Sequence, residues 1–361
     1  MIKRLIDLAI QIQQIPAPTF NETQRAELIQ RMFTTENLAD IHSDQAGNVL
    51  ARLPGTGAGA PLVVSAHLDT VFPMDTDLSV RRSADRLYGP GLGDNSLGVA
   101  GLFGLLWALR EAGHGLAGDV WLVANTCEEG LGDLRGMRAV VEHFGSAPKA
   151  YLVLEGMALG LVYHKASSVQ RYKISAHTDG GHSWTDYGKP SAIHELAGLI
   201  TKISALKPPS SPHTTFNVGR MGGGTSINTI APEAWMELDL RSEEQAPLTE
   251  LARQVEELVK ARTRAGVALS MQAIGQRPAG AISANHPLIR LAGNCLREQG
   301  LEPTLTIGST DANIPLSKGY PALVLGLTTG GGAHSSSEFI ETGPLEKGLK
   351  QLLQFASRLW D

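Results

Sequence analysis

Short apolar segments that stop abruptly at a histidine or a carboxylate constrain this chain more than any other feature. Residues 62–66 run into His67, residues 150–154 into Glu155, and residues 120–124 lead through Asn125, Thr126 and Cys127 to the pair Glu128-Glu129. Each run is about five residues long and apolar on both faces, the pattern of a strand covered on both sides. Residues 97–109 and 134–144 lie between these runs and read as helices. Strand and helix in alternation imply an α/β fold with helices packed over a mostly parallel sheet. In such sheets the strand ends present side chains to a crevice. Gly98, Gly101 and Gly104 fall three apart on one face of the first helix. They weaken helix propensity, a cost that close packing of that face on the sheet offsets.

The texture changes after about residue 166. Residues 169–175 alternate polar and apolar, as a half-exposed strand does. A helix over 191–203 follows, then strands over 214–220 and 233–241, a charged helix over 248–261 and a strand over 267–274. In 233–241, Met236, Leu238 and Leu240 alternate with Glu237, Asp239 and Arg241. This β-α-β-β-α-β order implies a ferredoxin-like α+β domain. From His286 the α/β texture returns, with helices over 286–299 and 345–359 and strands near 305–307 and 322–325. The chain therefore reads as a catalytic domain in two parts, 1–166 and 281–361, interrupted by an inserted domain over 167–280.

At 361 residues, with 42% apolar and 19% charged residues, the chain has core enough for two domains. Its formal net charge of -5 is not opposed by any block of Lys and Arg, so nucleic acid is not an expected partner. No apolar run is expected to reach the roughly 18 residues of a membrane span. The start, Met1 to Asp7, reads as an amphipathic helix, and Gln11, Gln13 and Gln14 interrupt any signal-peptide core. Cys127 and Cys295 give no disulfide framework, and a cytoplasmic location is expected.

The polar groups at the strand ends carry the chemistry. To His67, Glu128, Glu129 and Glu155 the chain adds Asp94, in Gly91-Leu92-Gly93-Asp94-Asn95, and His334, in Gly331-Gly332-Ala333-His334-Ser335. Imidazole nitrogen and carboxylate oxygen suit zinc and related divalent ions, and two ions need a shared anion. His67, Glu155 and His334 are candidate terminal ligands and Asp94 a candidate bridge. Asp69 lies on the side of His67 if the strand continues, where it can accept the second imidazole N–H and fix the tautomer. Adjacent Glu128 and Glu129 point differently, so one can bind metal while the other acts as base on a water. Metal lowers the pKa of water from about 15.7 to about 7, within reach of such a base. Singly, each group has a plainer reading: a polar strand end, a solvated corner, an N-cap at Asp94-Asn95. Together they point to a two-metal hydrolase. No compact His-Glu-x-x-His helix is present. Cys127 reads as a buried strand residue, and no Gly-x-Ser-x-Gly elbow supports a serine triad.

Several stretches extend this reading: Ser65-Ala66-His67-Leu68-Asp69-Thr70-Val71, Gly89-Pro90-Gly91-Leu92-Gly93-Asp94-Asn95, Cys127-Glu128-Glu129-Gly130, and Ala333-His334-Ser335 followed by Glu338. In them the chain resembles, essentially end to end, the dinuclear zinc metallopeptidase and amidohydrolase family of peptidase T, carboxypeptidase G, acetylornithine deacetylase and succinyl-diaminopimelate desuccinylase. The resemblance implies a zinc-exopeptidase-like α/β catalytic domain with a ferredoxin-like lid and dimerisation domain. It implies two divalent ions, zinc with cobalt or manganese as alternatives. His67 and Glu155 would bind the first with Asp94 bridging, and Glu129 and His334 would complete the second. Asp69 would orient His67, and Glu128 would be the general base.

In the inserted domain, His182 of Gly180-Gly181-His182-Ser183-Trp184 resembles the family histidine that polarises the scissile carbonyl. In dimeric members that histidine serves the partner subunit's site, which implies a homodimer. Asn228 and Arg241 match substrate-gripping positions, though Arg241 is also placed for a surface salt bridge with Glu237 or Asp239. Gly331 belongs to a glycine run that can offer backbone N–H groups to substrate or simply let a loop turn. Asp311 matches a family stretch without an assignable step. Where family deacetylases often have Gly-x-x-Asp-x-Lys, this chain has Asn95-Ser96 after Asp94. Its wording is nearer to peptidase T-like members, which implies an exopeptidase acting on short peptides. The alternative is a deacylase of N-acyl amino acids.

Overall fold

In the computed structural model, which describes residues 1–113 and 115–361, the strand Gly59–His67 buries Leu62, Val63, Val64 and Ala66 almost completely. Its neighbours Gly118–Asn125 and Ala150–Glu155 both run parallel to it, and Ala322–Gly326 is added in parallel beyond Ala150–Glu155. Antiparallel strands Val49–Leu53 and Ala39–Ser43 extend one side. Leu161–Ala166 extends the other and pairs with Thr304–Gly308 and Gly280–Ala281. Among the described residues this is a nine-stranded mixed sheet with a parallel centre.

Alternation along the strands feeds two cores. Leu62, Val64, Leu152 and Leu154 join an apolar cluster with the helix Leu97–Ala112, while Val63, Tyr151 and Val153 join another with Met137 and Val140 of the helix Arg135–Phe144. The period of two in a strand therefore sends successive side chains to opposite helix layers. The glycine face of Leu97–Ala112 does more than meet the sheet. A Cβ on Gly101 would lie 2.5 Å from Leu327 Cδ1, but one on Gly104 would lie 3.1 Å from Leu5 and 3.2 Å from Leu349. The second contact is with the helices Ile2–Gln13 and Leu345–Arg358.

The segment Leu92–Ala112 is long and apolar enough, by length and composition, to cross a membrane, although its unbroken apolar run, residues 97–109, is shorter than a span. Nearly all of it is buried inside the protein. A helix covered on every side needs no polar face, so a core helix acquires the composition of a span.

The chain divides into two compact units, Met1–Ala166 with Gly280–Asp361 and Ser167–Ala279. In the second, the strands Thr214–Gly223, Glu233–Ser242, Ser168–Thr178 and Val267–Arg277 lie in that spatial order, each antiparallel to its neighbour. With the helices Ala192–Ser204 and Gln245–Arg262 this is a ferredoxin-like α+β unit. Ile174, Met236, Leu238 and Leu240 pack with Leu196, Leu199 and Val255 of the helices. Glu237, Asp239 and Arg241 alternate with them and fall on the other face of the sheet.

Candidate metal centre

The central strand ends at His67, where the Leu68 N–H donates to the Asn125 carbonyl and the chain leaves the sheet. His67 is buried, with Nε2 3.1 Å from Asp94 Oδ1 and 3.9 Å from Glu155 Oε2. His334 Nε2 lies 3.1 Å from Asp94 Oδ2 and 3.0 Å from Glu129 Oε1. Each oxygen of Asp94 thus faces a different imidazole, the arrangement a carboxylate needs to span two cations. Three groups have ligand atoms within 4.8 Å of one another: His67, Asp94 and Glu155; Asp94, Glu129 and His334; and His67, Glu128 and Glu129.

The donor set fits a pair of divalent ions. It holds only imidazole nitrogen and carboxylate oxygen, which suits zinc and its neighbours. The four carboxylates Asp94, Glu128, Glu129 and Glu155 carry a formal charge of about -4 when ionised, the charge that two divalent cations would balance. The electrostatics bear the same mark. Burial pushes the Glu155 carboxyl well up, reinforced by Asp94 and Glu128 and opposed by His67. Burial would raise Asp94 too, but hydrogen bonds with His334 and His67 hold it well below the carboxylate range. His334 is pushed up to about 10 by Asp94 and Glu129. Burial opposes a charge on His67, yet Asp69 and Asp94 carry its pKa well above the ordinary histidine value.

Asp69 acts differently from the simple expectation. His67 Nδ1 donates to the backbone carbonyl of Asp69 at 3.0 Å, whereas the Asp69 carboxylate Oδ1 is 3.6 Å away. The strand does not continue past His67, so the Asp69 side chain turns elsewhere. Its Oδ1 accepts the Glu128 N–H, and its Oδ2 accepts the Glu129 N–H and the Thr19 hydroxyl, all at 2.9 Å. Asp69 therefore sets the backbone of the Glu128-Glu129 pair as well as the tautomer of His67.

Two supports have roles that sequence reasoning did not assign. Arg25, almost wholly buried, donates to the carbonyls of Ile15 and Leu68. Burial pulls its guanidinium down to about 10 against the opposing pull of Asp69, Glu22 and Glu338. It reads in sequence as one more polar residue of the helix Thr23–Thr35. Glu338, fully buried, accepts N–H groups from the loop bearing Asp94. Burial pushes its carboxyl up to about 7 against those hydrogen bonds. The sequence marks it only as the glutamate that follows Ala333-His334-Ser335, with no role attached.

With this geometry in hand, the similarity to known proteins is decisive. Residues 63–358 match the profile of Peptidase family M20/M25/M40. The chain belongs to that family. It is 26% identical over 350 residues to a succinyl-diaminopimelate desuccinylase of Corynebacterium glutamicum, covering 94% of this chain and 90% of the relative. Its fold is similar to that of an aminopeptidase PepT of Bacillus cereus, with TM-score 0.81, 20% identity and coverage of 100% and 99% of the two chains. A tripeptidase of Staphylococcus aureus aligns with TM-score 0.83 at 21% identity, covering 99% and 98%. As an M20 member with overlapping ligand clusters joined at Asp94, the protein is a metal-dependent hydrolase of the exopeptidase and amidohydrolase type.

The remaining candidate residues of this M20 chain divide between its units. Gly331 pairs with Phe339 in a short antiparallel bridge three residues before His334. Asp311 is buried and accepts a hydrogen bond of 2.7 Å from Asn125, the ladder partner of His67. His182, Asn228 and Arg241 belong to the ferredoxin-like unit. There, the His182 N–H donates to Asp186 Oδ2, and the ring Nδ1 accepts N–H groups from Trp184 and Thr185. With Nδ1 an acceptor, the neutral ring carries its proton on Nε2, as a donor. Asn228 is beside it: its carbonyl accepts the Ser183 N–H, and its side-chain oxygen accepts the Ser226 hydroxyl. Arg241 Nε donates to Asp239 Oδ2 at 2.6 Å, the surface salt bridge that its position allows.

Proposed function

We propose that this M20 hydrolase is an exopeptidase that cleaves short peptides carrying a free carboxylate near the cut bond, with Glu128 as general base. The observation that carries the reading is the bridging posture of Asp94 between His67 and His334 beside the buried Glu128. His67, Asp94 and Glu155 would hold one divalent ion, and Asp94, Glu129 and His334 the other, with zinc favoured and cobalt or manganese alternatives. Such a pair, when bound, polarises a carbonyl and brings the pKa of water to about 7. Glu128 takes a proton from the attacking water on a carboxylate oxygen and passes it to the amine nitrogen as the C–N bond breaks. Asp69 keeps Glu128 and Glu129 in place through their backbone N–H groups. His182, with its proton on Nε2, donates to the carbonyl oxygen as negative charge develops there. Asn228, Arg241 and backbone at Gly331 grip the substrate carboxylate. We place the enzyme in the cytoplasm.

A relative that aligns with 94% of this chain at 26% identity is a succinyl-diaminopimelate desuccinylase, which favours a second reading, a deacylase of N-acyl amino acids. Both reactions break an amide at one centre, so substrate preference separates them. A screen of di- and tripeptides beside N-acetyl and N-succinyl amino acids, scored by kcat/KM, is expected to favour substrates with a free N-terminal amine. Preference for acylated amines would move the protein to the deacylases. Equal activity on substrates with amidated carboxylates would remove Arg241 as an anion grip.

We further propose a homodimer formed through the inserted unit, in which His182 serves the partner's site. Light scattering over a concentration series is expected to give twice the chain mass. Mixing inactive His182→Ala with inactive Glu128→Gln protein should restore part of the activity, because each mixed dimer regains one intact composite site. A fully active monomer would defeat this proposal.

A further inference from the structure

We propose that Glu338 is a positioning residue for the metal centre: it holds the Asp94 loop, and through it the bridging carboxylate, in register with His334. The inference rests on the ligand assignment proposed above. Glu338 Oε2 accepts the Gly91 N–H at 2.9 Å, and Oε1 accepts those of Gly93 and Asp94 at 2.7 and 2.9 Å. Its backbone adds two ties: the carbonyl accepts the Gly89 N–H, and its own N–H donates to the Ser335 carbonyl. One residue therefore fastens the loop that carries Asp94 to the loop that carries His334, across 244 positions of sequence.

The local sequence is suited to this grip. Gly91 adopts φ +69°, a conformation costly for other residues. A Cβ on Gly93 would lie 2.5 Å from Met157 Sδ and 2.9 Å from Ile340 Cγ2. Backbone N–H groups can thus come close to a carboxylate with no side chain between. An ionised carboxylate is an acceptor at both oxygens and can take three donors, whereas an amide must turn one donor of its own toward them. Asp94 itself has extended-like backbone angles, φ -115° and ψ 90°, so no regular helix holds its side chain between the two imidazoles. The anchor comes instead from Glu338.

The test is Glu338→Gln, compared with the parent after chelator treatment and titration with cobalt(II) alone. Visible absorption and calorimetry report ion binding without any reference to turnover. The parent is expected to take two ions. Glu338→Gln should bind them about 10–100-fold more weakly, with an altered cobalt spectrum, as happens when groups that orient metal ligands are lost. Phe355→Leu, a lesion in the apolar core, controls for destabilisation: it should lower Tm yet leave cobalt affinity and spectrum unchanged. Should Glu338→Gln fail to fold, Glu338→Asp keeps the charge but shortens the reach, and it should show the same weakening. Folded variants that bind both ions within about threefold of the parent, with an unaltered spectrum, would overturn the positioning role. A parent that takes fewer than two ions would overturn the ligand assignment instead.

Discussion

Glu128→Gln is expected to lower kcat by about 10²–10⁴-fold while metal content and KM remain near those of the parent. The amide has the shape of the carboxylate but loses its negative charge and its capacity to take a proton. The backbone contacts that position residue 128 do not depend on either. The Glu128 backbone N–H still reaches Asp69 Oδ1, and Asp94 is still held between His67 and His334. Steady-state kinetics with metal analysis of the same preparation give the answer. Turnover within a few-fold of the parent would remove Glu128 as the base, and loss of metal along with activity would show that it belongs to the ligand set.

Chelation is expected to abolish turnover, and addition of zinc, cobalt or manganese to restore it at two equivalents per chain. Without cations, four carboxylates share a largely buried space with two imidazoles, and burial pushes Glu155 toward its protonated form. Ions that bind the folded chain and not the unfolded one stabilise it by about 4.1 kcal/mol at a concentration of 1,000 Kd, so Tm should rise with added metal. His334→Ala should retain less of the second ion than of the first, because His334 belongs to only one of the two clusters that share Asp94. A chelated, metal-free preparation with full activity would sink the two-metal reading.

Much of this centre can be read along the chain because a strand's end is a local event. Apolar runs of five residues stop where the sheet stops, so His67 and Glu155 mark the ends of their strands directly. The alternation of Met236, Leu238 and Leu240 with Glu237, Asp239 and Arg241 likewise declares which face is covered. Arg241 shows the limit of such reasoning. Its spacing allows both a surface pair and a substrate grip, and the pair with Asp239 is what the folded unit contains.

The sequence by itself therefore determined the layers of the fold, the imidazole and carboxylate character of the candidate ligands, and the strand ends at His67 and Glu155. Tertiary structure alone decided which group each side chain meets. Asp69 turns from the His67 ring toward the Glu128 and Glu129 N–H groups because the strand stops at His67, before it reaches Asp69. Arg25 is buried against the Leu68 carbonyl 43 positions away, and Glu338 reaches the Asp94 loop across 244. The physical reason is one of range. Hydrophobic periodicity reports burial residue by residue, but a hydrogen bond forms with whatever backbone happens to pass within about 3 Å, and that depends on the path of the whole chain.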